Sequence, residues 1–88
     1  MFFVYILKSK KFGRLYLGFS CDLKKRLDEH NHGKTFSTKP FMPWRVVYYE
    51  AYSNKDEAIK REHNLKLRAN AWNQLKRRVA GSLKSNAD

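Results

Sequence analysis

The feature that most constrains this chain is a short apolar run near its start, Phe2-Phe3-Val4-Tyr5-Ile6-Leu7. The run is rich in β-formers and apolar on both faces of a strand, so it predicts a buried strand. Its length is too small for a membrane span or a signal-peptide core. The other elements of the fold are therefore expected to cover both faces of this strand.

A β-hairpin follows from the residues after this run. The polar segment 8–13 predicts a turn, and segment 14–19 predicts a second strand. If the turn is centred on residues 10–11, Tyr5 lies opposite Tyr16. Directly opposed residues share one sheet face, with Cβ atoms about 5 Å apart. We therefore expect the two phenols to form one patch, which a one-residue slip in register would separate.

The remaining elements follow from caps, glycines, prolines and apolar spacing. They are a helix from near Asp22 to Asn31-His32, capped by Ser20 or Asp22 and ended by Gly33; a loop from Lys34 to Trp44; a third strand from Arg45 to Tyr52; a helix capped by Ser53 or Asn54; and a last helix from Ala71 to Val79. The domain is expected to span residues 1–79, with 80–88 as a flexible tail.

The first of these helices carries an unusual inward face. Leu23, Arg26, Leu27 and His30 recur at the spacing of one helical face, and half of them are cationic or titratable. This pattern predicts that Arg26 and His30 lie at the edge of a cleft while the leucines enter the core. The alternatives are an arginine that extends along the core edge and a histidine that interacts with the helix dipole.

Glu62 occupies a position where an apolar residue is expected. The apolar stripe of its helix is formed by Ala58, Ile59, Leu65 and Ala69, and Glu62 falls within it. A carboxylate there is costly unless a cation, a metal or hydrogen bonds compensate it. Glu62 is therefore interpreted first as a functional acid and second as an ion-paired residue. Its candidate partners are Arg26, Arg61 and Lys66.

Charge indicates the class of partner. The 88 residues include 19 Lys and Arg against 8 Asp and Glu, a net charge of +11, which favours a polyanion such as nucleic acid over a membrane. Cys21 is the only cysteine, so the chain has no intrachain disulfide, and a cytoplasmic location is expected. The candidate phosphate-binding residues form three clusters: Lys10, Lys11 and Arg14; Lys24 and Lys25; and Lys76 and Arg77.

Two groups of residues have chemical interpretations that stay open at this point. Acid, arginine, tyrosine and histidine together resemble the groups needed for phosphodiester hydrolysis, whereas a strand tyrosine alone is usually a packed residue with a hydrated hydroxyl. Three aromatic residues of the Pro-containing loop are expected to pack against the sheet, with base stacking as the alternative. They are Phe36, Phe41 and Trp44.

Five segments in order carry a resemblance to the GIY-YIG endonuclease superfamily, most closely to its small single-domain bacterial members. They are Val4-Tyr5-Ile6, Tyr16-Leu17-Gly18, the Arg26 helix, Pro43-Trp44-Arg45-Val46-Val47-Tyr48 and the Glu62 helix. Val4, Ile6 and Leu17 depart from the nominal signature by apolar exchanges. Phe19 stands where some relatives have a small or polar residue, which bears on how DNA approaches.

The resemblance implies an α+β fold with a three-stranded antiparallel sheet flanked by helices. It also implies roles: Tyr5 and Tyr16 as general base or as groups that position water, and His30 in proton transfer or phosphate contact. Arg26 would stabilise phosphate charge, and Glu62 would bind the metal. Gly18 would let a phosphate approach the strand.

The activity implied is that of a Mg²⁺- or Mn²⁺-dependent DNA endonuclease with weak sequence specificity, acting in DNA repair or recombination. No separate DNA-reading module fits within 88 residues, so specificity would come from DNA structure or from a protein partner. The alternative is a non-catalytic nucleic-acid-binding module on the same fold. RNA stays open as a substrate.

Overall fold

A computed structural model describes residues 1–84 and contains one three-stranded antiparallel sheet with helices packed on it. The predicted α+β fold class is therefore confirmed. The elements in chain order are β1 (Phe2–Ser9), β2 (Leu15–Ser20), α1 (Leu23–Asn31), a single 3₁₀ turn (Lys39–Phe41), β3 (Trp44–Tyr52), α2 (Lys55–Leu67), α3 (Ala69–Arg78) and α4 (Ala80–Lys84).

The sheet has the order β2-β1-β3, which places the apolar first strand in the centre. Because side chains alternate along a strand, β1 serves two separate clusters. Val4 and Ile6 pack with residues of α2 and α3 on one face. Tyr5 and Leu7 pack with Trp44 and with the leucines of α1 on the other face. Phe41 also packs there as expected, whereas Phe36 is 93% exposed, so the expectation that it packs against the sheet is wrong. We call the second of these the tyrosine face.

The register of the hairpin differs from the prediction by two residues. Tyr5 pairs with Gly18, and Tyr16 pairs with Leu7, so the expected direct opposition of the two tyrosines is wrong. The turn lies further along the chain than residues 10–11, with Gly13 at a φ of +67°. A shift of two residues preserves the sheet face, so both phenols still lie on the tyrosine face.

Both predicted N-caps of the long helices are confirmed. The side chain of Asp22 accepts a hydrogen bond from Lys25 N at 3.1 Å, and that of Asn54 accepts one from Glu57 N at 3.0 Å. Gly33 follows α1 with a φ of +71°, and bonds from residues 33 and 34 to the carbonyls of residues 30 and 29 complete a Schellman motif. These caps fix where α1 begins and ends.

The C-terminal third of the chain departs from the sequence prediction in two ways. Helix α2 ends at Leu67, so Ala69 begins α3, is exposed and does not extend the apolar stripe of α2. Residues 80–84 were expected in a tail but form α4, because Leu83 packs against the core and its carbonyl accepts a hydrogen bond from Lys8 Nζ at 2.7 Å. The rest of the predicted tail, residues 85–88, lies outside the described residues. No helix within residues 1–84 is long and apolar enough to cross a membrane.

Candidate active site

A chain of hydrogen bonds on the tyrosine face connects three buried polar side chains. The hydroxyl of Tyr5 lies 3.1 Å from Nε2 of His30, and Nδ1 of His30 lies 2.8 Å from Oγ1 of Thr38. Thr38 Oγ1 in turn donates to the carbonyl of Thr35 at 3.3 Å. The side chains of Tyr5, His30 and Thr38 are all at most 1% exposed. Their positions are therefore fixed by packing as well as by hydrogen bonds.

The direction of these hydrogen bonds assigns the tautomer of His30. The hydroxyl of Thr38 donates its single proton to Thr35, and on that basis we assign Thr38 Oγ1 as the acceptor of a hydrogen bond from His30 Nδ1–H. Nε2 is then the acceptor, and the phenol of Tyr5 donates to it. Burial and the nearby positive charge of Arg26 lower the pKa of His30, which keeps the ring neutral in this arrangement. Nε2 of His30 is therefore ready to receive a proton from Tyr5.

Arg26 lies one helical turn before His30, at the edge of a cleft beside the same tyrosine. Burial raises the pKa of Tyr5 to about 12, and the guanidinium of Arg26 partly offsets that rise. Arg26 also donates from Nη1 to Oε1 of Glu29 at 3.0 Å. The adjoining cleft has a volume of about 310 Å³. Its lining residues are Ser20, Cys21, Asp22, Lys25, Arg26 and Glu29.

Tyr16 completes an aromatic triangle with Tyr5 and His30. Its ring centroid lies 4.9 Å from that of His30 and 6.4 Å from that of Tyr5. Tyr16 is only half-buried, unlike Tyr5, so its edge reaches the surface. The structure thus brings four predicted site residues together: Tyr5, Tyr16, Arg26 and His30. The predicted place of His30 at the cleft edge is wrong, because His30 is fully buried while the two leucines of the same helix face are only half-buried.

Position 18 requires glycine for a packing reason that the sequence did not reveal. A Cβ atom added there would lie 2.5 Å from both Cζ and Oη of Tyr5 and 3.0 Å from Cε2 of Tyr16. The space left by the missing side chain is therefore filled by the phenol of Tyr5, rather than open to a phosphate as expected. A contact between the Gly18 backbone and nucleic acid stays a prediction.

Glu62 lies on α2, between the buried residues Ala58 and Leu65, with its side chain 13% exposed. Its charge makes a small contribution to the raised pKa of Tyr5, behind burial and the neighbouring Tyr16. Its closest cation is Lys66, with Nζ 3.1 Å from Oε2, which was one of the three candidate ion-pair partners. The other two candidate partners form ion pairs elsewhere: Arg26 binds Glu29, and Arg61 binds Glu50.

A divalent cation at Glu62 is compatible with this donor set. Within residues 1–84, no three His, Cys, Asp or Glu side chains form a metal-binding group. Mg²⁺ nevertheless takes only one or two carboxylates when water and substrate phosphates supply the other ligands. The competing ion pair with Lys66 is an i,i+4 pair with a half-exposed lysine, and such pairs contribute only about 0.3–0.5 kcal/mol. Glu62 would therefore exchange Lys66 for a divalent cation at little cost.

The predicted phosphate-binding residues fall on different sides of the molecule. Lys10, Lys11 and Arg14 are exposed around the hairpin turn, and Lys24 and Lys25 are exposed on α1 beside the cleft. Lys76 and Arg77 lie on α3, which packs on the sheet face opposite the tyrosines. Lys76 places its ammonium 5.3 Å from the ring centroid of Trp72. The first two clusters therefore lie on elements that border the tyrosine face, and the third does not.

Sequence reasoning missed the residues that hold the site in place. Thr38 was only part of a loop, yet it orients His30, and its carbonyl accepts a hydrogen bond from Trp44 Nε1 at 2.9 Å. Asn31 clamps α1 to β3, because its side chain bonds both the N–H and the carbonyl of Trp44. These four bonds join residues that lie 6 to 13 positions apart, and no local sequence pattern predicts them.

A second polar network lies on the opposite sheet face and was also missed. Glu50 accepts two hydrogen bonds from Arg61, at 2.9 and 3.0 Å, and one each from Tyr48 and Tyr52 at 2.7 Å. Burial alone would raise the pKa of Glu50, but these four bonds hold it below its ordinary value. All of its partners are supplied by β3 and α2, so the network joins that helix to the sheet.

The chain is similar in sequence to known proteins over most of its length. The family model described as the GIY-YIG catalytic domain matches residues 1–77. A UPF0213 protein of Staphylococcus saprophyticus is 42% identical over 65 residues, which are 73% of this chain and 78% of that protein. A UPF0213 protein of Staphylococcus epidermidis is 45% identical over equal shares, 73% and 78%. A solution NMR structure of a UPF0213 protein from Bacillus halodurans has a TM-score of 0.49 and 32% identity, covering 98% of this chain and 88% of that chain.

Proposed function

This chain belongs to the GIY-YIG family, whose members are generally nucleases that use divalent metal ions, and we propose that it is a Mg²⁺- or Mn²⁺-dependent DNA endonuclease. The observation that carries this proposal is the hydrogen bond from Tyr5 to His30, buried beside Arg26, which lines a cleft and acts electrostatically on Tyr5. Phosphodiester hydrolysis needs a group that takes a proton from the attacking water and a cation beside the phosphate. The tyrosine face offers both.

We assign proton transfer to Tyr5 and His30 acting together. With a pKa of about 12, the phenol of Tyr5 is protonated at neutral pH, so it accepts a proton from water only while giving up its own. His30 Nε2 lies 3.1 Å away as a neutral acceptor for that proton. The proton of the attacking water thus moves to the Tyr5 oxygen as the Tyr5 proton moves to His30. Tyr16, packed against both rings and partly exposed, positions the water or the strand.

Arg26 and Glu62 are assigned to the phosphate. Arg26 is charged at any physiological pH, and its guanidinium can place two parallel donors on phosphate oxygens after releasing Glu29. Glu62 would hold the divalent cation together with a substrate phosphate. Such a cation supplies charge stabilisation to the pentavalent transition state.

The substrate follows from charge and size. A net charge of +11 and exposed lysines around the tyrosine face favour a nucleic-acid backbone over any neutral ligand. Phosphate contacts carry no sequence code, so we propose weak sequence specificity, with selectivity supplied by DNA structure or by a protein partner. Cleavage of DNA in repair or recombination, in a cytoplasm that keeps the exposed Cys21 reduced, fits this set of properties.

A non-catalytic DNA-binding module is the second candidate, and the ion pair of Glu62 with Lys66 favours it, because Lys66 occupies the carboxylate that we propose as the metal ligand. Nicking of supercoiled plasmid with and without Mg²⁺ or Mn²⁺ separates the two. We compare the wild type with Glu62→Ala and with Glu57→Ala, a matched control that removes an exposed carboxylate from the same helix. The proposal expects metal-dependent nicking that Glu62→Ala loses and Glu57→Ala keeps.

Other outcomes have defined meanings. Equal nicking by both variants would exclude Glu62 as the metal ligand. Salt-sensitive plasmid binding without nicking by the wild type, in either metal, would favour the binding module. Circular dichroism and thermal unfolding of each variant establish that lost nicking does not reflect a lost fold.

A further inference from the structure

An exposed phenylalanine lies among positive charges at the end of the β1–β2 hairpin. Phe12 is 61% exposed, and it is flanked in sequence by Lys11 and by Gly13. We call residues 10–14, Lys10 to Arg14, the hairpin tip. An isolated exposed apolar side chain is ordinary on a protein surface, so exposure alone would carry no inference. What distinguishes Phe12 is how its backbone and ring are held.

The backbone of the hairpin tip is tied to the loop before β3. Phe12 N donates to Oγ of Ser9 at 3.1 Å, and the same hydroxyl donates to the carbonyl of Phe41 at 2.7 Å. Lys10 N donates to the carbonyl of Pro43 at 2.9 Å. Ser9 is fully buried, which keeps water away from these bonds. The tip is therefore a fixed projection.

The ring of Phe12 is supported on one side only. It meets Phe41 edge to face, with centroids 5.6 Å apart and an interplanar angle of 87°. The guanidinium carbon of Arg14 lies 4.2 Å from the centroid of the Phe41 ring, so a cation is packed onto the same support. Most of the Phe12 ring still faces solvent. This makes a pre-oriented aromatic surface with positive charge beside it, the combination used to bind single-stranded nucleic acid.

The hairpin tip is continuous with the candidate active site. Phe41 and Tyr16 both pack against the buried cluster that contains Tyr5 and Trp44. Phe12 precedes Tyr16 by four residues, which span at most about 14 Å of extended chain. Along one DNA strand that length corresponds to at most about four nucleotides, since the spacing is roughly 3.4 Å in a duplex and larger in an unstacked strand. A strand with its phosphate at Arg26 and Tyr16 would thus bring a nearby nucleotide to Phe12.

We infer that the hairpin tip binds an unpaired base of a DNA substrate by stacking on Phe12, so that the enzyme selects DNA with a single-stranded segment within a few nucleotides of the scissile phosphate. In a continuous duplex both faces of every base are already stacked, and exposing one costs a few kcal/mol. A fork, flap or gap offers an unstacked base without that cost. This inference deepens the proposed endonuclease function and rests on it.

The test measures binding separately from cleavage. A splayed-arm DNA fork and a blunt duplex of the same paired sequence are titrated with protein in EDTA, with fluorescence anisotropy as the readout. A 2-aminopurine at each unpaired position of the fork in turn reports base stacking through its fluorescence. The variants are Phe12→Ala, Phe12→Trp and, as a matched control, Leu67→Ala, which removes an 82% exposed apolar side chain at the end of α2.

The wild type is expected to bind the fork at least about tenfold more tightly than the duplex, and Phe12→Ala to lose about 5- to 150-fold of fork affinity, the range for one aromatic–base stack. Phe12→Trp and Leu67→Ala should keep the preference. Equal binding of fork and duplex by the wild type would overturn the inference, and so would a Phe12→Ala variant that behaves like Leu67→Ala. The plasmid-nicking result is independent of these outcomes, so failure of the stacking inference is distinguishable from failure of the nuclease function.

Discussion

Replacing Thr38 with valine tests the central feature of the site, the proton arrangement on His30. Valine has nearly the same shape as threonine but no hydroxyl, so the substitution removes the acceptor that lies 2.8 Å from His30 Nδ1 without opening a cavity. A buried N–H left without a partner costs about 1–3 kcal/mol. The Nδ1–H tautomer would then bury an unpaired donor, whereas the Nε2–H tautomer would bury only an unpaired nitrogen lone pair, so the balance shifts towards the Nε2–H tautomer by at most this amount.

The consequence is a specific loss of proton acceptance. A penalty of about 1–3 kcal/mol lowers the fraction of the Nδ1–H tautomer, relative to the other, by about 5- to 150-fold. The Nε2–H tautomer presents a proton to the Tyr5 oxygen where the wild type presents a lone pair. We therefore expect the nicking rate of Thr38→Val to fall by up to the same factor, while binding of DNA in EDTA stays unchanged.

Ring ¹⁵N chemical shifts of His30 measure this tautomer directly. The wild type should show a protonated Nδ1 and an unprotonated Nε2, Thr38→Val should reverse the pattern, and Thr38→Ser, which keeps the hydroxyl, should restore both the shifts and the nicking rate. Thermal unfolding of each variant controls for a merely structural effect. If Thr38→Val keeps the protonated Nδ1 and full activity, the hydrogen-bond assignment along Tyr5, His30 and Thr38 is wrong.

Three further predictions concern neighbouring parts of the molecule. Gly18→Ala places a methyl group 2.5 Å from the phenol of Tyr5, so we expect about 1–3 kcal/mol of destabilisation in urea unfolding together with loss of nicking; an unchanged midpoint would contradict the close packing. The pKa of His30 is lowered in the folded state, so its contribution to stability is present above its unfolded pKa and is lost as pH falls below about 6.5. The loss is at most about 1.4 kcal/mol per pH unit. In His30→Gln, the urea midpoint should therefore fall less between pH 7 and pH 5 than it does in the wild type. Glu50→Ala strips Arg61 of its carboxylate and should cost about 2–4 kcal/mol in the same assay, whereas a value below about 0.5 kcal/mol would mean that the pair contributes little.

The sequence predicts the sheet face on which a residue lies better than it predicts the residue with which it pairs on the neighbouring strand. Tyr5 and Tyr16 were expected on one face and lie there, although the register is shifted by two residues, because only an odd shift changes the face of a strand. The shift itself depends on Gly18, since only a residue without Cβ can lie opposite a tyrosine whose ring folds back across the neighbouring strand. That requirement is a matter of packing and has no signature in hydrophobic spacing.

Contacts between distant segments mark the limit of sequence reasoning. The helix containing Arg26 and His30 was predictable from its cap, its glycine end and its spacing, all of which are local. The hydroxyl that sets the His30 tautomer comes from Thr38, eight residues on, in a loop whose path depends on the burial of Trp44. The anomaly at Glu62 was visible because a carboxylate contradicts an apolar stripe. A polar residue such as Glu50 is ordinary on a half-buried strand, so the sequence did not indicate its four hydrogen bonds.

The alternation along β1 explains why chemistry and stability occupy separate faces of so small a sheet. Val4 and Ile6 contribute the apolar area that holds α2 and α3, while Tyr5, between them, contributes the phenol that meets His30. A central strand can do this only if helices cover both of its faces, which is why a chain of 88 residues has an apolar run with tyrosine within it. Any change that moved this strand by one residue would turn Tyr5 towards α2 and α3 and an aliphatic residue towards His30. The fold would thus lose both the packing of its core and the hydrogen bond between Tyr5 and His30.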